Sequence, residues 1–211
     1  MLKGEMTSRP LQDTVVEKPA AASPAGGRML SPRPADEENL PPALARLAVE
    51  AFVREGRIFQ AGPAFSSPLL DDAAACFVCI KTGGRSLRGC IGTIRPARGR
   101  LAEEIIANAI GAATRDQRFP PVMGEELTLL RYSVDVLERP EPARPEDLDP
   151  AEFGVIVEDN TGRRRGLLLP ALEGVETVSE QVRIASGKAG ILAGEPLQLY
   201  RFRVRRFREA A

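Results

Sequence analysis

Cys76-Phe77-Val78-Cys79-Ile80-Lys81-Thr82-Gly83-Gly84-Arg85-Ser86-Leu87-Arg88-Gly89-Cys90-Ile91-Gly92 reads as two short apolar-rich runs parted by a Gly-Gly pair. Strand-forming runs on either side of such a pair are a hairpin signal. The pattern predicts strands over about 73–81 and 87–94. A two-residue turn at Gly83-Gly84 sets Ile80 opposite Leu87, Cys79 opposite Arg88, Val78 opposite Gly89 and Phe77 opposite Cys90. Side chains alternate along a strand. Cys76, Val78, Ile80, Leu87 and Ile91 then share an apolar face turned to the core. Ala75, Phe77, Cys79, Arg88, Cys90 and Gly92 share the other face. In this register Cys79 and Cys90 are diagonal neighbours, with Cα atoms roughly 7–8 Å apart. The usual disulfide span is about 4.4–6.8 Å, so no bond between them is expected. Cys76 and Cys79 have C-x-x-C spacing but point to opposite faces, which makes a metal clasp or redox pair there weak.

Working outward, Leu44, Leu47, Ala48, Ala51 and Phe52 have the spacing of an amphipathic helix, with Pro41-Pro42 at its start and Gly56 after its end. A second helix is predicted over about 101–114, its apolar face built from Ala102, Ile105, Ile106, Ala109, Ile110 and Ala113. A strand follows over 129–137, then a Pro-rich connection over 140–150. A second hairpin, 153–158 with 164–169, turns about Asn160-Thr161-Gly162. A third helix starts at Thr177, whose spacing to Glu180 fits a capping box, and ends before Gly190. One final strand is predicted over 198–207, with Arg201, Arg203 and Arg205 on a solvated face. Helices interspersed with hairpins give an α+β fold with a largely antiparallel sheet. Residues 1–40 are Ala-, Pro- and Gly-rich with no helical or alternating pattern. They read as a disordered extension ahead of a domain over 41–211.

Composition narrows the chemistry. The chain of 211 residues contains no histidine, which excludes a Ser-His-Asp triad, a Cys-His dyad and histidine metal ligation. Lys+Arg and Asp+Glu both number 29, so there is no basic excess to carry nucleic-acid binding, and an aromatic content of 5 % argues against a base-stacking platform. Three cysteines make no disulfide framework. No apolar run spans a bilayer and no secretory h-region is evident, so the expected compartment is the cytoplasm.

Cys90 stands out because glycines flank it at 89 and 92. A glycine within a strand marks a bulge or a close approach by a ligand or another backbone. One reading leaves the thiol open in a recess, with Arg88 on the same face favouring the thiolate. Gly89, Gly92, Asp116 and Arg118 would complete this recess, which suits a small anionic or polar ligand. Cys90 would be its nucleophile. The other reading is a tight packing site where the 101–114 helix crosses the sheet, with Cys90 a buried small hydrophobe.

The Leu87–Gly92 segment resembles the signature of the AMMECR domain, whose bacterial and archaeal relatives include AmmeMemoRadiSam system protein A. Ala113-Thr114-Arg115-Asp116-Gln117-Arg118-Phe119-Pro120-Pro121 resembles the family segment after the second helix, although Pro is more usual at position 117. Arg165-Gly166-Leu167-Leu168-Leu169-Pro170, Lys188-Ala189-Gly190 and Leu199-Tyr200-Arg201-Phe202 follow in family order, so the resemblance covers about 41–208. It implies a split β-α-β core with a smaller lobe and a cleft near the signature cysteine. It also implies association with a Memo-like protein and a radical-SAM protein. It implies no established reaction, metal or cofactor. Cys79 is often Thr in relatives, which argues against a general Cys79–Cys90 redox pair.

Overall fold

The computed structural model describes residues 38–83 and 86–209. The predicted N-terminal extension, apart from its last residues, and the Gly84-Arg85 half of the first turn lie outside them.

Helix α1, Leu40–Glu55, begins on Pro41-Pro42, whose missing N–H groups cost nothing in a first turn. It ends where Gly56 adopts a left-handed φ of 65° and its N–H closes back on the last turn. Leu44, Ala45, Ala48 and Val49 are fully buried, while Leu47 is 38 % exposed. The apolar face is thus rotated from the predicted one, because Ala45 and Val49 fill the contact that Leu47 was expected to make. After a short helix α2, Pro68–Asp71, come strands β1, Cys76–Lys81, and β2, Leu87–Gly92. Helix α3 runs over Leu101–Thr114, with the predicted boundaries.

Strand β3, Arg131–Leu137, is shorter than expected because Gly124–Leu129 forms a 3₁₀ helix. The Pro-rich connection contains a strand that the sequence reading missed, β4 at Glu141–Ala143. The second hairpin pairs β5, Gly154–Asp159, with β6, Arg165–Leu168. Helix α4, Val178–Ala189, is capped by Thr177, whose hydroxyl accepts the N–H of Glu180 at 3.3 Å. The final segment is two strands, not one: β7, Leu197–Phe202, and β8, Val204–Arg208.

These strands form two antiparallel four-stranded sheets, ordered β2-β1-β3-β8 and β4-β7-β5-β6. The chain changes sheet at Arg203. There Arg201 and Arg203 both lie over the Phe153 ring, at 4.7 and 4.4 Å, and Arg203 pairs with Glu152 at 3.0 Å. The expected row of solvated arginines is therefore partly a stacking device. Helices α1 and α3 bury one face of the first sheet through Leu44, Ile105, Val78, Ile80 and Val134. Helix α4 covers the second sheet through Ala185 on Val155, Val157 and Leu168. The remaining faces meet through a small cluster of Ala75, Leu137, Ile156, Leu167 and Phe202. The layers thus run helix, sheet, sheet, helix. Among the described residues no helix is long and apolar enough to cross a membrane.

Candidate functional site

The site is built on β2, an edge strand. The register of the first hairpin differs from the expected one by two residues. Cys79 pairs with Cys90, Val78 with Ile91 and Phe77 with Gly92, and a bulge falls between Ile80 and Lys81. The connection is longer than a Gly-Gly turn, with the Thr82 N–H bonded to the Ser86 carbonyl at 2.9 Å. A two-residue shift keeps every side chain on its face but makes direct partners of residues expected to be diagonal. Cys79 and Cys90 have Cα atoms 4.1 Å apart and are disulfide-bonded. This corrects the expectation that they would lie too far apart to bond. Cys76, on the core face, is a free and fully buried thiol, pushed up to about 12 by loss of solvation.

The short Cα separation belongs to a non-hydrogen-bonded cross-strand pair. The Cys90 N–H therefore points away from β1, out of the sheet edge, and Asp116 Oδ2 accepts it at 2.8 Å. Asp116 is buried in the turn after α3. Arg118 donates to it through Nε at 2.9 Å and Nη2 at 2.7 Å, and the Arg118 N–H adds a bond of 3.2 Å. These donors, the Arg118 guanidinium first, hold the Asp116 carboxyl well below the usual carboxylate range. Asp116 thus ties the signature strand to the turn and orients one guanidinium.

Arg88 does not serve Cys90. Its Nε and Nη2 grip Glu126 at 2.7 and 2.9 Å, and Nη1 and Nη2 donate to the carbonyls of Pro120 and Pro121 at 2.9 and 3.3 Å. The Arg88 hydrogen bond in turn lowers the Glu126 carboxyl. The guanidinium is consumed in fixing the Pro-Pro segment and its charge is matched by a carboxylate. The predicted pairing of Arg88 with a Cys90 thiolate has no geometric basis.

The glycines are filled rather than open. A Cβ on Gly89 would stand 2.1 Å from the Ala112 carbonyl oxygen, so the backbone of α3 lies directly on this residue. A Cβ on Gly92 would meet the Phe77 ring at 2.3 Å. That ring covers its cross-strand partner, an arrangement that offsets the cost of glycine in a strand. The recess expected at these two positions is occupied by a helix on one face and an aromatic ring on the other.

Lys188, part of the Lys188-Ala189-Gly190 motif but not among the expected site residues, lies on α4. Its Nζ reaches the Leu167 carbonyl at 3.4 Å and makes no ion pair among the described residues. Loss of solvation, reinforced by the nearby charge of Arg118, lowers its pKa. One signal was available: the chain uses lysine only four times among its 29 cationic residues. No group of three or more His, Cys, Asp or Glu side chains among the described residues is arranged to hold a metal ion.

The chain carrying this strand and turn is similar to known proteins along most of its length. The AMMECR1 family model matches residues 42–208. The chain belongs to the AMMECR1 family. A Thermotoga maritima protein is 47 % identical over 162 residues, covering 76 % of this AMMECR1 chain and 92 % of its own. A Clostridium acetobutylicum protein is 45 % identical over 168 residues, and there the match spans 79 % of this chain but 35 % of the relative, which is much longer. The crystal structure of uncharacterized protein PH0010 from Pyrococcus horikoshii is 30 % identical, with a TM-score of 0.73, covering 85 % of this chain and 94 % of that one. In this AMMECR1 chain the signature strand is therefore a clamped edge, braced by Asp116 at Cys90 and by Glu126 at Arg88.

Proposed function

We propose that the chain is a cytoplasmic binding component whose β2 edge and Asp116–Arg118 turn form a recognition surface for the Memo-like and radical-SAM partners that the family resemblance implies. The observation that carries this reading is the commitment of Arg88 to Glu126 and the Pro120 and Pro121 carbonyls. An arginine spent on bracing leaves the signature strand rigid and leaves Cys90 without an activating partner. Activated cysteines are otherwise paired with a base, and the chain has no histidine to supply one. Rigid display lowers the entropy cost of association. Arg118, whose side chain is 57 % exposed although Asp116 beneath it is buried, offers its Nη1 to an anionic or polar group of the partner.

A second reading, a Cys90-dependent enzyme, is favoured by one feature, the partly exposed Cys79–Cys90 pair. In a reducing cytoplasm this pair would be two thiols.

Co-elution of the purified full chain with a Memo-like and a radical-SAM protein from the same genome separates these readings. A complex that survives Cys90→Ser and weakens at least about tenfold, ~1.4 kcal/mol, with Arg118→Glu is the expected result. Failure to bind either partner, or loss with Cys90→Ser and not with Arg118→Glu, would contradict it.

A further inference from the structure

The two sheets meet through a small shared cluster, and beside it a cavity of about 550 Å³ opens between them. Its size is that of a small-molecule site. The floor is apolar: Ala75, Leu137 and Ile156 are all buried there. Tyr200 adds a ring whose hydroxyl already donates to Gln198 at 3.0 Å, so it offers surface rather than a polar contact. Ala73 and Ala74, small residues preceding Ala75, line one wall.

The polar groups of the cavity are dominated by guanidinium. Arg165 and Glu158 form an ion pair in the wall, their side chains 19 % and 13 % exposed. Both bonds of this pair, from Nε at 2.8 Å and from Nη2, end on the one oxygen Oε2. Arg165 Nη1 makes no hydrogen bond among the described residues. Arg95 and Arg139, at the rim, form no ion pair among the described residues either. Three guanidiniums thus surround an apolar floor, against Glu138 and the already paired Glu158. Guanidinium forks match carboxylate oxygens in geometry and are weakly hydrated, so they bind such groups beside apolar surface.

We propose that this inter-sheet cleft binds a small organic acid. Its apolar, flat body lies on Ala75, Leu137, Ile156 and the Tyr200 ring, and its carboxylate is held by Arg95 and Arg139. This site is separate from the signature edge and uses none of its residues. Arg165 of the Arg165–Pro170 motif lines the same cleft, held in its wall by Glu158.

The test is fluorescence titration of the full chain with 1-anilinonaphthalene-8-sulfonate, an aromatic anion, followed by displacement with naphthalene-2-carboxylate. Displacement by the carboxylate, and not by inorganic phosphate or neutral naphthalene at equal concentration, is expected. Ala74→Phe, which fills the cleft, and the double variant Arg95→Ala/Arg139→Ala should each weaken the carboxylate at least about tenfold while retaining a cooperative melt. These positions are exposed or half-buried, so the fold tolerates the changes. No dye binding by the unsubstituted chain, or unchanged carboxylate affinity in Ala74→Phe, overturns the site. Loss with Ala74→Phe but not with the arginine variant, or equal displacement by neutral naphthalene, overturns the organic-acid class.

Discussion

Asp116 joins three things through one carboxylate: the turn after α3, the guanidinium of Arg118 and the backbone of Cys90. Its ionised form is the one these donors favour, so the clamp is linked to pH. The folded pKa lies below that of the unfolded chain, ordinarily about 3.9. The stabilisation is therefore fully present above the unfolded value and is lost as pH falls from there through the folded value. Asp116→Asn should lower the denaturant midpoint at neutral pH by an amount worth roughly 1–3 kcal/mol. That gap should hold between about pH 7 and pH 5 and close progressively below about pH 4. A gap that stays constant into strong acid would show that the charge of Asp116 does not hold the turn. The residue type was legible in the sequence, since Asp116 and Arg118 were candidates from the charged turn alone. Its particular partner was not. A backbone N–H carries no sequence signal, and Arg88, two positions from Cys90, was an equally reasonable neighbour until Glu126 was seen to occupy it.

At the scale of elements, two edge strands repeat one device. Gly89 on β2 lies under the Ala112 carbonyl of α3, and Gly166 on β6 lies under the Ala185 carbonyl of α4. In each case the preceding arginine turns to the other face and meets a glutamate, Arg88 with Glu126 and Arg165 with Glu158. The helices can approach this closely only because no Cβ intervenes. Gly89→Ala should force α3 away from the sheet and destabilise by about 2–3 kcal/mol or more, read by chemical denaturation. Gly99→Ala, where a Cβ meets nothing within 4 Å, is the control and should be nearly neutral. Equal effects at the two positions would remove the packing explanation. Element boundaries were readable where local chemistry sets them, as at Thr177 and Gly56. The hairpin register was not, because it depends on a bulge at Ile80/Lys81 and a loop longer than its Gly-Gly pair. The split at Arg203 was hidden for a similar reason. Alternation runs straight through from β7 to β8, and a change of hydrogen-bonding partner leaves side-chain periodicity untouched.

For the whole molecule, the α+β class and antiparallel pairing followed from the spacing of apolar residues, but the division into two sheets did not. Which strands pair is a non-local matter, settled by Phe202, Ile156 and Leu167 packing against Leu137 and Ala75 from distant parts of the chain. The inter-sheet cavity arises from that packing and so had no local signature, although its arginines were in plain view. The signature edge works as a braced surface in the proposed function, not as an activated thiol. The most direct test is the pH profile of Cys90 alkylation in the reduced Cys79→Ser chain, with and without Arg88→Ala, alongside the melting temperature of each. Cys76 stays silent because it is buried and its thiol is pushed up to about 12. An alkylation profile that Arg88→Ala leaves in place while the melting temperature falls is the predicted result. A profile that moves to higher pH on removing Arg88, with the melting temperature unchanged, would contradict it.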